Sequence, residues 1–502
     1  VPRTPAEHVL AGAVTSALTD PPAAPVAMNA SLADHGGDPL VVPRALEALA
    51  RAGLTGLVAD ELDGPASPGH LATALEPLPI PCPPPRRQHT MTSTPHLTDR
   101  LAPWSFAEFV DASGYEMVSR PPVVDGVVGP TIVRDGRELV NFASINFLNL
   151  GRRLSLTREF TDAAHTYGLT TGGSRMTQGI CRPHQALEES IARQTGKERA
   201  ISFATGLLAN VGFVHAMSHS ARFDTTLQVH NRDTVFVLDR DSHWSIWKAV
   251  EGLGYGRSVH AFRHNDVADL ARVLDRVRSN KIVVIIESVY SADGSMAPVM
   301  ELLDECDRHG AITMVDDANG FMLYGPPHRP FAAEYAAIRE RADFVMVSLS
   351  KAVGLEGGAL AGPAHAIDAF EVLSGTSMFT AAIQPPTAHV AERTIHALES
   401  DPSIVDDYLA RADRLRADMH ERGVPTTPAD SYMLSVPIGD DDAALTMREW
   451  FVEDGYLVPV FCYPAVPRNQ ALLRLIPHAG HTEEQIDGFL HTLVTYRRRL
   501  GL

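Results

Sequence analysis

The sequence predicts an α/β protein built on a mostly parallel central sheet and preceded by a small helical bundle. Three stretches carry the sheet: KIVVIIESVYS (281–291), AITMVDDANG (311–320) and ADFVMVSLSK (342–351), near-continuous apolar runs that end in small polar or charged residues. Such runs are strands buried on both faces. Helical patterns such as APVMELLDECDRHG lie between them, so the strands run parallel and their polar ends gather along one carboxyl edge, where a site is expected.

The front of the chain reads differently. HVLAGAVTSAL, then PRALEALARAG with Leu46, Leu49 and Ala50 on one side, then HLATALEPL after the turn Pro65-Ala66-Ser67-Pro68-Gly69 predict short helices over residues 1–76. A Pro/Ser/Thr-rich stretch, residues 77–100, reads as a semi-rigid linker. Residues 101–150 follow as a lead-in segment to a large domain over 151–390 and a smaller C-terminal domain over 391–502.

Composition bounds the function. With 45% hydrophobic and 21% charged residues and no apolar run near the ~18 needed to span a bilayer, no membrane association is expected. The N-terminus carries no basic-then-apolar leader, which sets a cytoplasmic expectation. A net charge of -18 excludes a general nucleic-acid binder. Cys82, Cys181, Cys306 and Cys462 are scattered without metal-ligand spacing, so no metal site is expected.

The chemistry-bearing residues sit at the predicted strand ends. Lys351, in SLSKAVGLEGG, closes an apolar strand between small hydroxyl residues and glycines. An amine in such a desolvated place has a lowered pKa and can form a Schiff base. Asp316, in MVDDANG, ends the preceding strand and can pair with a protonated pyridine nitrogen; its neighbour Asp317 reads as structural. His243, in DSHWSIW, can lie flat on a ring. In FATGLLAN, Thr205, Gly206 and Leu207 open a helix whose free N–H groups can hold a phosphate.

These stretches, with FRHND (262–266), SVYSADG (288–294) and GGSRMTQGICRPHQALE (172–188), resemble the α-oxoamine synthase family. The resemblance runs from about Asn141 to the C-terminus. It implies a fold-type I pyridoxal-phosphate-dependent transferase with a smaller C-terminal α+β domain and pyridoxal 5'-phosphate as cofactor. It further implies that Lys351 carries the cofactor as a Schiff base, Asp316 pairs with its ring nitrogen and His243 stacks on the ring. Ser348, Thr205, Gly206 and Leu207 would surround the phosphate, with Ser291 beside the cofactor. Arg474 and Asn146 would hold the substrate carboxylate. Four sites depart from the family pattern. Asn319 replaces a histidine that donates to the cofactor's phenolic oxygen, Phe147 replaces a tyrosine, and Thr380-Ala381 replaces a Ser-Thr pair that reaches the neighbouring subunit's phosphate. Leu472 stands where the family has a first arginine.

The implied reaction is a decarboxylative condensation of an amino acid with an acyl thioester, on coenzyme A or a separate acyl carrier protein, giving an α-amino ketone. The implied assembly is a homodimer. An aminotransferase or simple decarboxylase on the same fold, or a non-catalytic subunit, are the alternatives. The front bundle in turn resembles an acyl carrier protein, but in Gly36-Gly37-Asp38-Pro39-Leu40 a proline occupies the place of the serine that bears phosphopantetheine. Having no hydroxyl, Pro39 cannot take the arm, so the segment is expected to be a structural or docking remnant.

Overall fold

The computed structural model describes residues 122–502, apart from Leu154, residues 223–225, Leu227 and Pro464, together with Leu54, Thr55, Glu76, Pro77, Pro103 and Ser105. The chain divides into two compact units, Val1–Ser119 and Arg120–Leu502. In the first unit Leu54–Thr55 pairs antiparallel with Glu76–Pro77, so Glu76 and Pro77 are strand rather than the end of a helix. The rest of the expected carrier-like bundle and Pro39 lie outside the described residues, as does most of the linker.

The second unit opens with a hairpin, β1 (Thr131–Arg134) and β2 (Arg137–Asn141), paired antiparallel. Helices α1 (Leu156–Tyr167) and α2 (Arg182–Thr195) lead into β3 (Arg199–Phe203) and α3 (Gly206–Ser218). Strand and helix then alternate through β4 (Val235–Asp239), α4 (Trp244–Val250), β5 (Val259–Phe262), α5 (Val267–Leu274) and β6 (Ile282–Glu287). They continue through α6 (Val299–His309), β7 (Ile312–Asp316), α7 (Ala332–Arg341), β8 (Phe344–Ser348) and β9 (Gly358–Gly362).

The seven strands β3 to β9 form one sheet in the order β5-β4-β6-β7-β8-β9-β3. The pairings from β5 to β8 are parallel, and β9 is antiparallel to both its neighbours. Both faces are covered. On β6, Val284 and Ile286 enter one apolar cluster, and Val283 and Ile285 enter the other. That alternation is why the run reads as continuously apolar: each such side chain removed from water stabilises the fold by about 1.5–3 kcal/mol.

The chain continues through α8 (Ala364–Leu373), α9 (Pro385–Ser400), α10 (Ser403–Glu421), β10 (Leu434–Gly439), α11 (Asp441–Glu453), β11 (Ala471–Leu475) and α12 (Glu483–Arg499). Strands β10 and β11 pair antiparallel, with Val460–Phe461 on the other side of β11. No helix among the described residues is long and apolar enough to cross a membrane.

The glycine-rich stretch around Arg175 is an anchor within this frame. Its guanidinium is buried and donates to Glu188 (2.7 Å) and to both oxygens of Glu371 (2.6 and 3.0 Å). His184 seals the start of α2, its Nδ1 accepting from the Cys181 N–H (3.2 Å) and its Nε2 donating to the Ile383 carbonyl (2.7 Å). Those contacts hold the stretch in place.

Candidate active site

The carboxyl ends of β6, β7 and β8 bring Glu287, Asp316 and Ser348 to one edge of the sheet, with Glu287 and Asp316 directly opposite each other in register. Two carboxylates side by side cannot both ionise cheaply in a buried place. Asp316 is 3% exposed. Burial raises its carboxyl, while an N–H from Asn210 Nδ2 on Oδ2 (3.1 Å) and the Ala318 N–H on Oδ1 (3.1 Å) favour the anion. Glu287 is raised well above the carboxylate range, by burial first and then by Asp316 itself. The shared charge therefore rests on Asp316, and Glu287 holds the proton while its Oε1 accepts from the His243 N–H.

Lys351 sits three residues past β8, in a turn that closes on itself: the Leu349 N–H donates to the Gly357 carbonyl (3.0 Å) and the Leu355 N–H to the Leu349 carbonyl (2.9 Å). Burial and the nearby Arg474 cation lower its amine, and Asp316 and Glu287 only partly offset them. Gly354, at φ +75°, completes the turn. A Cβ there would stand 2.5 Å from Asn146 Oδ1, so glycine is needed for the backbone angle and for the close approach of Asn146.

His243 caps α4 from its N-terminal side. Its Nδ1 accepts from the Ser245 N–H (3.2 Å) and from the Ser245 hydroxyl (2.8 Å). With Nδ1 an acceptor, the ring proton resides on Nε2. The side chain is open to the cleft, yet surrounding protein desolvates it, and with Lys351 and Arg474 close by the imidazole is pushed down to about 4. It is a neutral ring with one donor edge.

The N-terminus of α3 lies beside Ser348. Thr205 uses its Oγ1 to accept from the Leu208 N–H (3.2 Å), which leaves the Gly206 and Leu207 N–H groups for an anion. A Cβ on Gly206 would sit 3.5 Å from the Ser348 Cβ, and one on Gly358 would fall 2.6 Å from the Gly206 N and Cα. Backbone thus approaches backbone at this helix end, and Ser348 Oγ, within 2.8 Å of Ser350 Oγ, faces it.

Arg474 comes from β11. Its Nη1 donates to the Ser291 carbonyl (2.6 Å), its guanidinium stacks on Phe461 (4.4 Å), and its Nε is buried without a partner. Ser291 is thereby tied to the arginine through its main chain. Asn319 is held at both ends, donating to the Val289 carbonyl (3.1 Å) and accepting from Tyr432 (3.3 Å). Asp317 is structural as read: it accepts from Ser288 Oγ (2.6 Å), and burial pushes it up to about 7. Phe147 is buried against Tyr408 (4.8 Å) and Tyr432 (4.5 Å). Thr380 borders Phe379, which is 81% exposed.

Four residues at this site escape sequence reasoning: Glu287, Asn210, Ser245 and Tyr432. Asn210 has one legible signal, its place one helical turn after Gly206. Its Nδ2 gives one N–H to Asp316 and the other to Ser245 Oγ (2.9 Å). The set fits pyridoxal phosphate: an anion for a ring nitrogen, a neutral ring open to the cleft, a lowered amine, and an N-terminal helix end with free N–H groups. Each answers one part of that molecule.

The family model described as aminotransferase class I and II matches residues 137–493. An 8-amino-7-oxononanoate synthase from Anaeromyxobacter dehalogenans is 31% identical over 387 residues, which cover 77% of this chain and 93% of that protein. One from Marinobacter nauticus is 31% identical over 380 residues, 76% of this chain and 92% of that protein. The solved serine palmitoyltransferase of Sphingomonas wittichii superposes with a TM-score of 0.70 at 27% identity, covering 81% of this chain and 99% of that one. A serine palmitoyltransferase from S. paucimobilis, solved with a PLP–myriocin adduct bound, gives the same score and coverage at 25% identity. The chain therefore belongs to the α-oxoamine synthase family.

Proposed function

We propose that this chain condenses an amino acid with an acyl thioester, with loss of carbon dioxide, to give an α-amino ketone. The observation that carries the reading is the meeting of a lowered lysine amine, a buried carboxylate at the carboxyl edge of the main sheet, and a partly uncommitted arginine that reaches that edge from β11. When bound, pyridoxal phosphate supplies an electron sink for a carbanion at the amino acid's Cα.

Each residue has a task. Lys351 would hold the cofactor, and its lowered amine is suited to take up the Cα proton of the amino acid. Asp316, kept anionic by its two N–H donors, holds the ring nitrogen protonated. Ser348, Thr205, Gly206 and Leu207 bind the phosphate, and Ser291 borders the ring. Asn319, with one amide hydrogen spent on Val289, has a second for the phenolic oxygen. Arg474 grips the amino acid's carboxylate with the donors it does not spend on Ser291, and Asn146 closes that side. His243 donates from Nε2 to the thioester carbonyl, because Ser245 keeps the proton off Nδ1.

The active assembly in this reading is a homodimer. Leu169, Met176, Ile180, Leu207 and Phe379 expose large apolar side chains, and a bridge between Ser174 and Ala381 brings two of their loops together. A second copy covering them would let Thr380 face its partner's phosphate. The thioester arrives on coenzyme A or on a separate carrier protein.

Replacing Lys351 with alanine tests the core of the reading. The Schiff-base absorbance and carbon–carbon bond formation should both vanish, and an absorbance that survives would refute the assignment.

A further inference from the structure

Beside the catalytic residues lies a cavity of about 970 Å³. Its position is fixed by chain neighbours. Ser242 and Trp244 line it and flank His243, Ala292 lines it and follows Ser291, and Leu472 lines it from the same face of β11 as Arg474. One wall is α4 and the turn after it, with Trp244, Trp247, Leu253 and Tyr255. The opposite wall includes Tyr463 and Val466.

Two properties of the lining point to its occupant. Three of its aromatic residues are exposed, Trp244 by 51%, Tyr255 by 72% and Tyr463 by 50%, although Lys248 lies over the Trp244 ring (5.9 Å) and Arg468 over the Tyr463 ring (4.3 Å). Exposed aromatic groups gathered around one cavity mark a place that apolar matter covers. The charged lining residues, by contrast, are already satisfied. Arg240 pairs with Asp241 (3.3 Å), Lys248 pairs with Glu251 (2.7 Å), and Asp293 accepts from the N–H and hydroxyl of Ser295 (3.0 and 2.8 Å). Among the described lining residues, three carboxylates face two cations, and neither cation is left for an incoming anion.

We propose that this cavity receives the tail of the acyl donor, and that it selects an uncharged apolar chain over one ending in a carboxylate. The inference rests on the condensation reading for its thioester end, which lies toward His243. A terminal carboxylate would have to be desolvated against tryptophan and tyrosine faces and repelled by Asp241, Glu251 and Asp293.

The test uses the full chain with pyridoxal phosphate and the amino acid that perturbs the cofactor absorbance. The decanoyl and 9-carboxynonanoyl thioesters of N-acetylcysteamine share length and thioester and differ only at the tail's end. The decanoyl thioester should show a kcat/KM higher by roughly tenfold or more, the least that an unpaired carboxylate costs in apolar surroundings. It should also quench the fluorescence of Trp244 and Trp247. Tyr255→Arg, at an exposed position, should narrow that preference by adding an unpaired cation. Equal use of both thioesters, or a preference for the carboxylated one, overturns the inference with the condensation intact; an unchanged preference in Tyr255→Arg overturns the placement of the tail. Quenching by the decanoyl thioester without condensation of either supports the cavity assignment and overturns the condensation reading. Neither quenching nor condensation overturns both.

Discussion

Replacing Asp316 with asparagine should stabilise the cofactor-free protein while disabling the enzyme. Burial raises this carboxyl from 3.8 to about 6, so above that pH the folded state bears an anion that costs about 3 kcal/mol relative to the unfolded chain. Asparagine removes that cost. It keeps only one of the two acceptor oxygens that Asn210 and Ala318 now use, and one lost hydrogen bond returns about 1 kcal/mol. The net gain is about 2 kcal/mol. Because the folded-state pKa is raised, wild-type stability from this group is complete below 3.8 and lost as pH rises through 6; the variant should lack that loss. Turnover should fall by roughly 100-fold or more, the scale of removing one preorganised electrostatic partner. The assay is urea unfolding of both proteins, freed of cofactor, at pH 4 and pH 8, beside single-turnover measurements of the holoenzymes. A variant less stable than wild type at pH 8, or one with the same pH dependence, would refute the reasoning.

Other sites give further tests. Arg474→Lys keeps the charge but loses the fork, and the KM for the amino acid should rise by about 10- to 100-fold in steady-state assays. Gly358→Ala places a methyl 2.6 Å from the Gly206 backbone and should cost about 1–3 kcal/mol in denaturation and weaken cofactor retention on dialysis. His478 and His481 are buried, each pushed down from 6.5 to about 4, so stability is lost as pH falls from 6.5 towards 4, by about 2 kcal/mol per histidine at pH 5. His481→Gln, which can still accept from the His478 N–H, should remove one such share when unfolding at pH 7 and pH 5 is compared.

Much of the fold was legible because its strands are buried on both faces. The runs at 281–291, 311–320 and 342–351 contain β6, β7 and β8, each overshooting by the polar residues that turn out to form the site. Strand β9, GALAG, was not legible. Its glycines and alanines have no strand preference and are there because Gly358 and Gly362 pack against the Gly206 backbone and the Phe344 ring. Among the proposed site residues, Lys351, Asp316 and His243 were readable by type and place, and Arg474 only through the family resemblance. Glu287 stood in plain view at the end of an apolar run, yet its role depends on strand register, a tertiary property no single stretch encodes.

The same register explains why the two residues proposed to contact the cofactor, Asp316 and His243, form a unit. Asn210 Nδ2 has two hydrogens, and it gives one to Asp316 and the other to Ser245 Oγ, which in turn donates to His243 Nδ1. One amide therefore favours the charged form of Asp316, proposed for the ring nitrogen, and, through Ser245, the Nε2 tautomer of His243, proposed for the ring face. Glu287 completes the circuit by taking the proton that Asp316 must not hold and by anchoring the His243 main chain. The acid and the histidine are far apart in sequence, on different elements, and each would be an ordinary buried polar residue alone. Their charge and tautomer follow from these shared partners, so a change at Asn210 should disturb both residues at once.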